Sequence, residues 1–238
     1  MAEPILIEVA VESVACALAA VGAGADRLEL CADLASGGVT PSAGMIRAVR
    51  EAVDVPIVVL IRPRPGDFVC SATELAVMRH DIREARRTGV NGVAFGALTV
   101  DHRLDIDAMR LLVGAAGSLE CVMHRGVDQA LDVMEAARSL IACGVKRVLT
   151  SGGAVSALAG AGPIAALVAE VGTSIEIMAG GKVRSTNVGE ILGRTGVRAV
   201  HAGPRTRLSA AGMGDREVLD LGQLVELVRT IREIEEER

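Results

Sequence analysis

The sequence predicts an α/β protein folded as one (β/α)8 barrel spanning residues 1–238. Three observations lead there. The chain has 238 residues, half of them hydrophobic, close to the ~250 typical of this fold. A glycine-centred pattern recurs four times at twice the spacing of a βα unit. The first apolar run leads into Ala10-Val11-Glu12-Ser13, without the glycine-rich turn that an open nucleotide-binding sheet carries after its first strand.

The four marks are Gly24-Ala25-Asp26-Arg27-Leu28, Gly89-Val90-Asn91-Gly92-Val93, Gly144-Val145-Lys146-Arg147-Val148 and Gly196-Val197-Arg198-Ala199-Val200. Each follows an Ala-rich or Arg-rich helical stretch, so the glycine ends a helix in the left-handed conformation and the apolar run behind it starts a strand. The marks lie 65, 55 and 52 residues apart. One βα unit takes ~30 residues, so each interval holds two. The even strands are expected at 27–31, 92–95, 147–150 and 199–201, and the odd ones at 6–9, 55–61, 120–123 and 174–178. Strands alternating with helices form a parallel sheet, and eight of them close. Leu221, Leu224, Val225, Val228 and Ile231 recur at helical spacing and predict a last helix over 221–234 that completes the outer ring. The stretch from Arg205 to Asp215 reads as a loop beside the mouth, either a lid or part of a subunit contact.

Composition narrows the function. A net charge of -5, with two Phe and no Trp or Tyr, offers neither a cationic footprint nor aromatic platforms for nucleic acid. The same lack of aromatics disfavours a polysaccharide groove, and a small polar ligand fits better. Met1-Ala2-Glu3-Pro4 runs into Ile5-Leu6-Ile7-Glu8-Val9 with no basic leader and no long uncharged apolar stretch, which predicts a cytoplasmic protein without a membrane span. Cys16, Cys31, Cys70, Cys121 and Cys143 are odd in number and scattered, which suits reduced thiols, and none forms a CxxC pair for structural zinc.

Strand parity assigns the candidate site. In Arg27-Leu28-Glu29-Leu30-Cys31 the leucines face the helices, leaving Arg27, Glu29 and Cys31 inside the barrel, and Glu8 shares a face with Leu6 and Ala10. Two buried carboxylates on neighbouring strands require cations, and Arg62, Arg64 and Arg125 after the third and fifth strands are the expected partners. His124, ending the fifth strand, is the general acid/base candidate, with an equally ordinary alternative as a structural ring bonded to those carboxylates. His201 at the end of the eighth strand has the same two readings, whereas His80 and His102 read as solvated. Gly180 and Gly181 after the seventh strand, Gly203 after the eighth and Ser151-Gly152 after the sixth offer backbone N–H groups to an anion, with Arg184 and Arg205 nearby. Glycine in a short βα loop also serves turn geometry alone.

Taken together, Gly24–Cys31, Gly37-Gly38-Val39-Thr40-Pro41-Ser42, Ile61-Arg62-Pro63-Arg64-Pro65-Gly66-Asp67-Phe68, His124-Arg125, Arg147–Gly152 and Ile177–Gly181 resemble, in order and spacing, the copper homeostasis protein CutC family. The resemblance implies a (β/α)8 barrel, cytoplasmic and often homo-oligomeric. It also implies Cu(I) as a ligand, held by two cysteines of which Cys31 matches the second; where the first stands, this chain has Ala10. Two functions follow. The first is a barrel whose mouth binds a small anionic or phosphorylated molecule, with Glu8 or Glu29 as a base, His124 as an acid and Arg62 and Arg125 as clamps, whether or not it turns the ligand over. The second is a non-enzymatic Cu(I) binder using Cys31. A regulatory or scaffolding barrel with a relic site is the third, blander reading.

Overall fold

The computed structural model describes residues 4–210 and 214–237, with the side chains of 207–216 outside that description. Eight parallel strands close in sequence order: β1 (Leu6–Val11), β2 (Arg27–Leu30), β3 (Ile57–Leu60), β4 (Gly92–Phe95), β5 (Glu120–Met123), β6 (Arg147–Thr150), β7 (Glu176–Gly180) and β8 (Ala199–Ala202), the last pairing with β1. The helices around them are α1 (Val14–Gly22), α2 (Ala43–Ala52), α3 (Ala72–Arg87), α4 (Ile106–Ala116), α5 (Val133–Cys143), α6 (Ala161–Val171), α7 (Ser185–Thr195) and α8 (Leu221–Glu236). The fold is the (β/α)8 barrel that the repeated marks predict. Gly24, Gly89, Gly144 and Gly196 have φ of 99°, 76°, 86° and 69°, so each turns the chain from helix to strand where a side chain would be strained.

Parity holds along the strands. Leu28, Leu30, Ile57, Val59, Val148 and Ile177 face outward into the layer shared with the helices. The barrel interior carries two smaller apolar groups: Cys31, Val58, Leu60, Ala94 and Val122 on one side, and Leu149, Met178 and Ala199, with Leu6 against them, on the other. Charge sits beside these groups. Arg27, Glu8 and Glu29 are buried inside the barrel, and Arg147 is buried between Glu176 and Glu120.

β1 runs to Val11, two residues past its expected end, and β2 and β8 shift by one residue at theirs; two further strands and one loop differ from expectation. β3 begins at Ile57 rather than 55, because Pro56 has no N–H to give the ladder and contributes only its carbonyl, to Leu28. β7 runs to Gly180, two residues further than its apolar pattern suggests. The described residues of the stretch expected to be a loop are strands: β9 (Arg205–Ala210) and β10 (Gly214–Leu219) pair antiparallel. Short runs containing Thr206, Leu208 and Val218 flank a glycine-containing stretch there, a hairpin signal diluted by the arginines. Residues 211–213 of that stretch, and Met1–Glu3 of the leader reading, lie outside the described residues. Among the described residues no helix is long and apolar enough to cross a membrane.

Candidate functional site

The register of β1, β2 and β8 stacks the polar interior in two layers. Glu8 lies opposite Arg27 on one side and His201 on the other, while Ala10, one layer higher, lies opposite Glu29. Arg27 Nε donates to Glu8 Oε2 at 2.5 Å, and His201 Nδ1 lies 2.8 Å from Glu8 Oε1. His201 Nε2 lies 3.7 Å from Glu29 Oε2, so the imidazole spans the two carboxylates. Arg27 Nη2 reaches the Met178 sulfur at 3.4 Å. The partner of the lower carboxylate is therefore Arg27, not Arg62, Arg64 or Arg125. Those three leave their strands above Glu8 and find other acceptors.

Protonation follows from these contacts. Burial alone would raise the Glu8 pKa, but the His201 hydrogen bond and the Arg27 charge outweigh it and bring it down to about 2. Burial disfavours charge on His201 as well, yet Glu29 and Glu8 raise its pKa above the ordinary histidine value. Glu29 lacks a guanidinium partner, and burial leaves its pKa raised. The Cys31 thiol, donating to Glu29 Oε2 at 3.5 Å, is pushed well up by burial and by that carboxylate.

Above this layer a cavity of about 140 Å³ opens at the C-terminal ends of the strands, walled by Glu29, Arg62, His124, Arg125, His201 and Phe68. It is smaller than the ~300–1,000 Å³ of pockets for drug-sized ligands, which limits it to a small molecule. Arg62 donates to the carbonyls of Gly37, Gly38 and Gly66 at 3.2, 3.0 and 2.7 Å and sits 4.9 Å from the Phe68 ring centre. Phe68 in turn meets the His124 ring at 4.9 Å. His124 does not bond the carboxylates. Its Nδ1 accepts from the Gly126 N–H at 3.1 Å, so the neutral ring carries its proton on Nε2, and burial lowers its pKa to about 4. Near neutrality His124 is a hydrogen-bond donor rather than a proton shuttle. The ring placed between carboxylates is His201.

A second pocket of about 230 Å³ adjoins the first and shares Leu34, Arg125 and His201 with it. Gly181, Lys182, Arg184, Gly203, Arg205 and Glu217 are among the other residues of its walls. Gly181 and Lys182 both have positive φ, of 103° and 58°. Arg205 pairs with Glu12 at 2.9 Å. Gly180, by contrast, is a packing residue: a Cβ there would stand 2.4 Å from Leu149 Cδ1.

The loop after β6 is not open to an anion. Asp128, in the 3-10 turn over Arg125–Gln129, accepts from the N–H groups of Ser151 and Gly153, from Thr150 Oγ1 and Ser151 Oγ, and from Arg125 Nε. The Gly152 N–H goes to Thr150 Oγ1 at 2.8 Å. Every donor that Ser151-Gly152 offered is consumed inside the turn. Arg64 is also structural, joining Asp67 and Glu74 at the start of α3 and lying outside the central cavity. Parity placed Arg27 inside the barrel, and what it left out is the pairing with Glu8, which comes from the β1–β2 register. Nothing in the sequence isolates Phe68.

Four buried side-chain donors among the described residues have no partner: Arg62 Nε, His124 Nε2, Arg205 Nη2 and Arg79 Nε. The first three belong to walls of the mouth pockets. A larger hollow of about 430 Å³ lies at the other end of β7 and β8, lined by Gly172–Ile177 and Gly196–Arg198. In this fold that face serves stability, and chemistry belongs to the C-terminal face.

The donor set does not fit Cu(I). Cys31 is the one cysteine of the interior wall, its thiol is stabilised in the protonated form, and Ala10 supplies no second thiolate. Cys16, Cys121 and Cys143 belong to the helix-side core, and Met178 stands in the opposite interior group against Arg27.

Comparison with known proteins places the chain. The model of the CutC family matches residues 5–206. A CutC family protein of Xanthomonas campestris pv. campestris (strain B100) is 47% identical over 204 residues, covering 86% of this chain and 85% of its own. A relative from Caulobacter vibrioides (strain NA1000 / CB15N) is 41% identical over 242 residues, covering 97% and 98%. The crystal structure of CutC from Streptococcus agalactiae matches with a TM-score of 0.79 at 33% identity, over 83% of this chain and 97% of that one. Sequence, family model and fold agree, and the chain belongs to the CutC family.

Proposed function

We propose that the barrel mouth binds a small anionic, phosphorylated molecule. One observation carries this reading: three residues that line the two joined pockets, Arg62, His124 and Arg205, each hold a buried donor without a partner, out of four such donors among the described residues. An unmet buried donor costs about 1–3 kcal/mol, and an acceptor oxygen that reaches it through a small side-chain shift removes that cost. The local charge agrees. Glu8 is neutralised from either side by Arg27 and His201, Arg125 and Arg205 are paired with Asp128 and Glu12, and Arg62, Lys182 and Arg184 stand against Glu29 and Glu217 in the walls of the mouth. Copper homeostasis is the role carried by the family name, and a single protonated thiol beside a carboxylate gives that role no ligand set in this chain.

Thermal shift with inorganic phosphate and three- to five-carbon sugar phosphates tests the reading. Stabilisation that falls at least tenfold in apparent affinity for Arg62→Met and His124→Ala is expected. Stabilisation by none of these anions, or stabilisation unchanged in both variants, removes it.

A further inference from the structure

Two chemically different groups share the central cavity, and their pairing suggests a reaction. We infer that the mouth enolises a small phosphorylated α-hydroxycarbonyl compound, with Glu29 taking the proton from carbon and the His124 Nε2–H, seconded by Arg62, holding the oxyanion. The inference rests on the anion-binding reading above and names its chemistry.

Glu29 is the carboxylate in the wall of the central cavity, and Glu8 is withdrawn beneath it. Around Glu29 stand Glu8 from β1, Arg27 and Cys31 from its own strand, and His201 from β8, with Arg62 and His124 lining the same cavity. A base must be free to accept a proton, and Glu29 has no direct ion pair shorter than the 3.7 Å to His201. His124 complements it. With Nδ1 committed to the Gly126 N–H, its Nε2–H is a fixed neutral donor without a partner. A neutral imidazole donor and a carboxylate base lining one cavity are the pair of groups that polarise a carbonyl and deprotonate the neighbouring carbon. The adjoining pocket takes the phosphate, since Gly181 and Gly203 bring backbone without a side chain of its own to its wall and Lys182, Arg184 and Arg205 line it beside Glu217.

The step balances without any further reagent. The proton leaves carbon for a Glu29 oxygen, the C–H pair becomes the carbon–carbon double bond, and the carbonyl π pair moves onto the oxygen held by His124 and Arg62. Glu29 then returns the proton. Delivery to the original carbon restores the substrate, and delivery to the neighbouring carbon, with the hydroxyl proton passing to the first oxygen, gives the isomer. Nothing is oxidised or reduced overall.

The test is solvent deuterium exchange. Dihydroxyacetone phosphate, erythrose 4-phosphate and ribose 5-phosphate are incubated with the purified full chain in deuterium oxide and followed by proton NMR, with thermal shift measured on the same probes. For at least one probe, exchange beside the carbonyl is expected to exceed the buffer rate by about 10²-fold or more, the scale of general base catalysis. Glu29→Gln is expected to abolish exchange while retaining probe stabilisation, Glu29→Asp to slow it partly, and His124→Ala to cut it at least tenfold. His80→Asn, on the exposed face of α3, leaves it unchanged. The wild-type rate should rise with pH as Glu29 ionises, above the ordinary carboxylate range because burial raises its pKa, and should show no break near 6.5 from His124. Wild-type stabilisation by a probe with exchange at the buffer rate overturns the inference and leaves the binding reading standing. Exchange unchanged in both Glu29→Gln and His124→Ala overturns it too, and stabilisation by no anion removes both.

Discussion

Replacing Glu8 by glutamine isolates what the buried cluster contributes. Glu8 is 1% exposed and bonded to Arg27 at 2.5 Å and His201 at 2.8 Å, and glutamine keeps its volume, so no cavity forms. The carboxyl pKa falls from 4.5 to about 2 in the folded chain. At 1.36 kcal/mol per pK unit this corresponds to about 3 kcal/mol at neutral pH, the lower end of the ~3–5 kcal/mol seen when one member of a buried ion pair is removed. Because the folded pKa lies below the unfolded one, this stability is complete above about pH 4.5 and is lost as pH falls toward 2. Urea unfolding at pH 7 is expected to show a loss of about 3 kcal/mol for Glu8→Gln, equivalent to a melting temperature lower by roughly 6–12 °C in a chain of this size. Arg27→Met in the same background should restore part of the loss, because it removes the stranded guanidinium. A cost below about 1 kcal/mol, or strictly additive costs in the double variant, would refute this assignment of the pair.

Other consequences are as direct. His124 has a folded pKa of about 4 against 6.5 unfolded, so the unfolded chain binds more protons between those values and stability falls as pH drops through that window. His124→Asn should lack this component when urea midpoints at pH 4.5 and pH 7 are compared with the wild type. At Gly96 an added Cβ would stand 2.6 Å from Met123 Sδ and 2.7 Å from His124 Cε1. Gly96→Ala should therefore displace the ring and weaken phosphate-probe binding about tenfold, or about 1.4 kcal/mol, in calorimetric titration. Cu(I) titration against bathocuproine should show no sub-nanomolar site and no effect of Cys31→Ala; a sub-nanomolar site that this substitution abolishes would return copper to the centre of the account.

The fold was legible because its signals are local and repeated. Gly24, Gly89, Gly144 and Gly196 each occupy a left-handed position that almost any other residue would strain, so their spacing counts βα units directly. Parity then oriented Glu8, Arg27, Glu29 and Cys31 inward, and Glu29, Arg62 and His124 do share a cavity. What the sequence did not disclose is the depth of each group and the choice among partners. Glu8 and Glu29 look equivalent along their strands, yet the register sets Glu8 a layer lower and delivers it to Arg27. His124 and His201 both end strands, but burial lowers the pKa of His124 while the carboxylates of Glu29 and Glu8 raise that of His201 against the same burial. The hydrogen bonds of Ser151-Gly152 were hidden for the same reason: their acceptor, Asp128, comes from the preceding βα connection.

The most direct measurement is the histidine nitrogen spectrum of the uniformly 15N-labelled chain, with His124 assigned through His124→Asn, recorded from pH 5 to 8 with and without dihydroxyacetone phosphate. His124 is expected to stay neutral across that range with its proton on Nε2, and that nitrogen is expected to shift when the phosphorylated probe binds. Titration of His124 near pH 6.5, or an Nε2 resonance indifferent to a probe that binds, would contradict an anion site built on this ring.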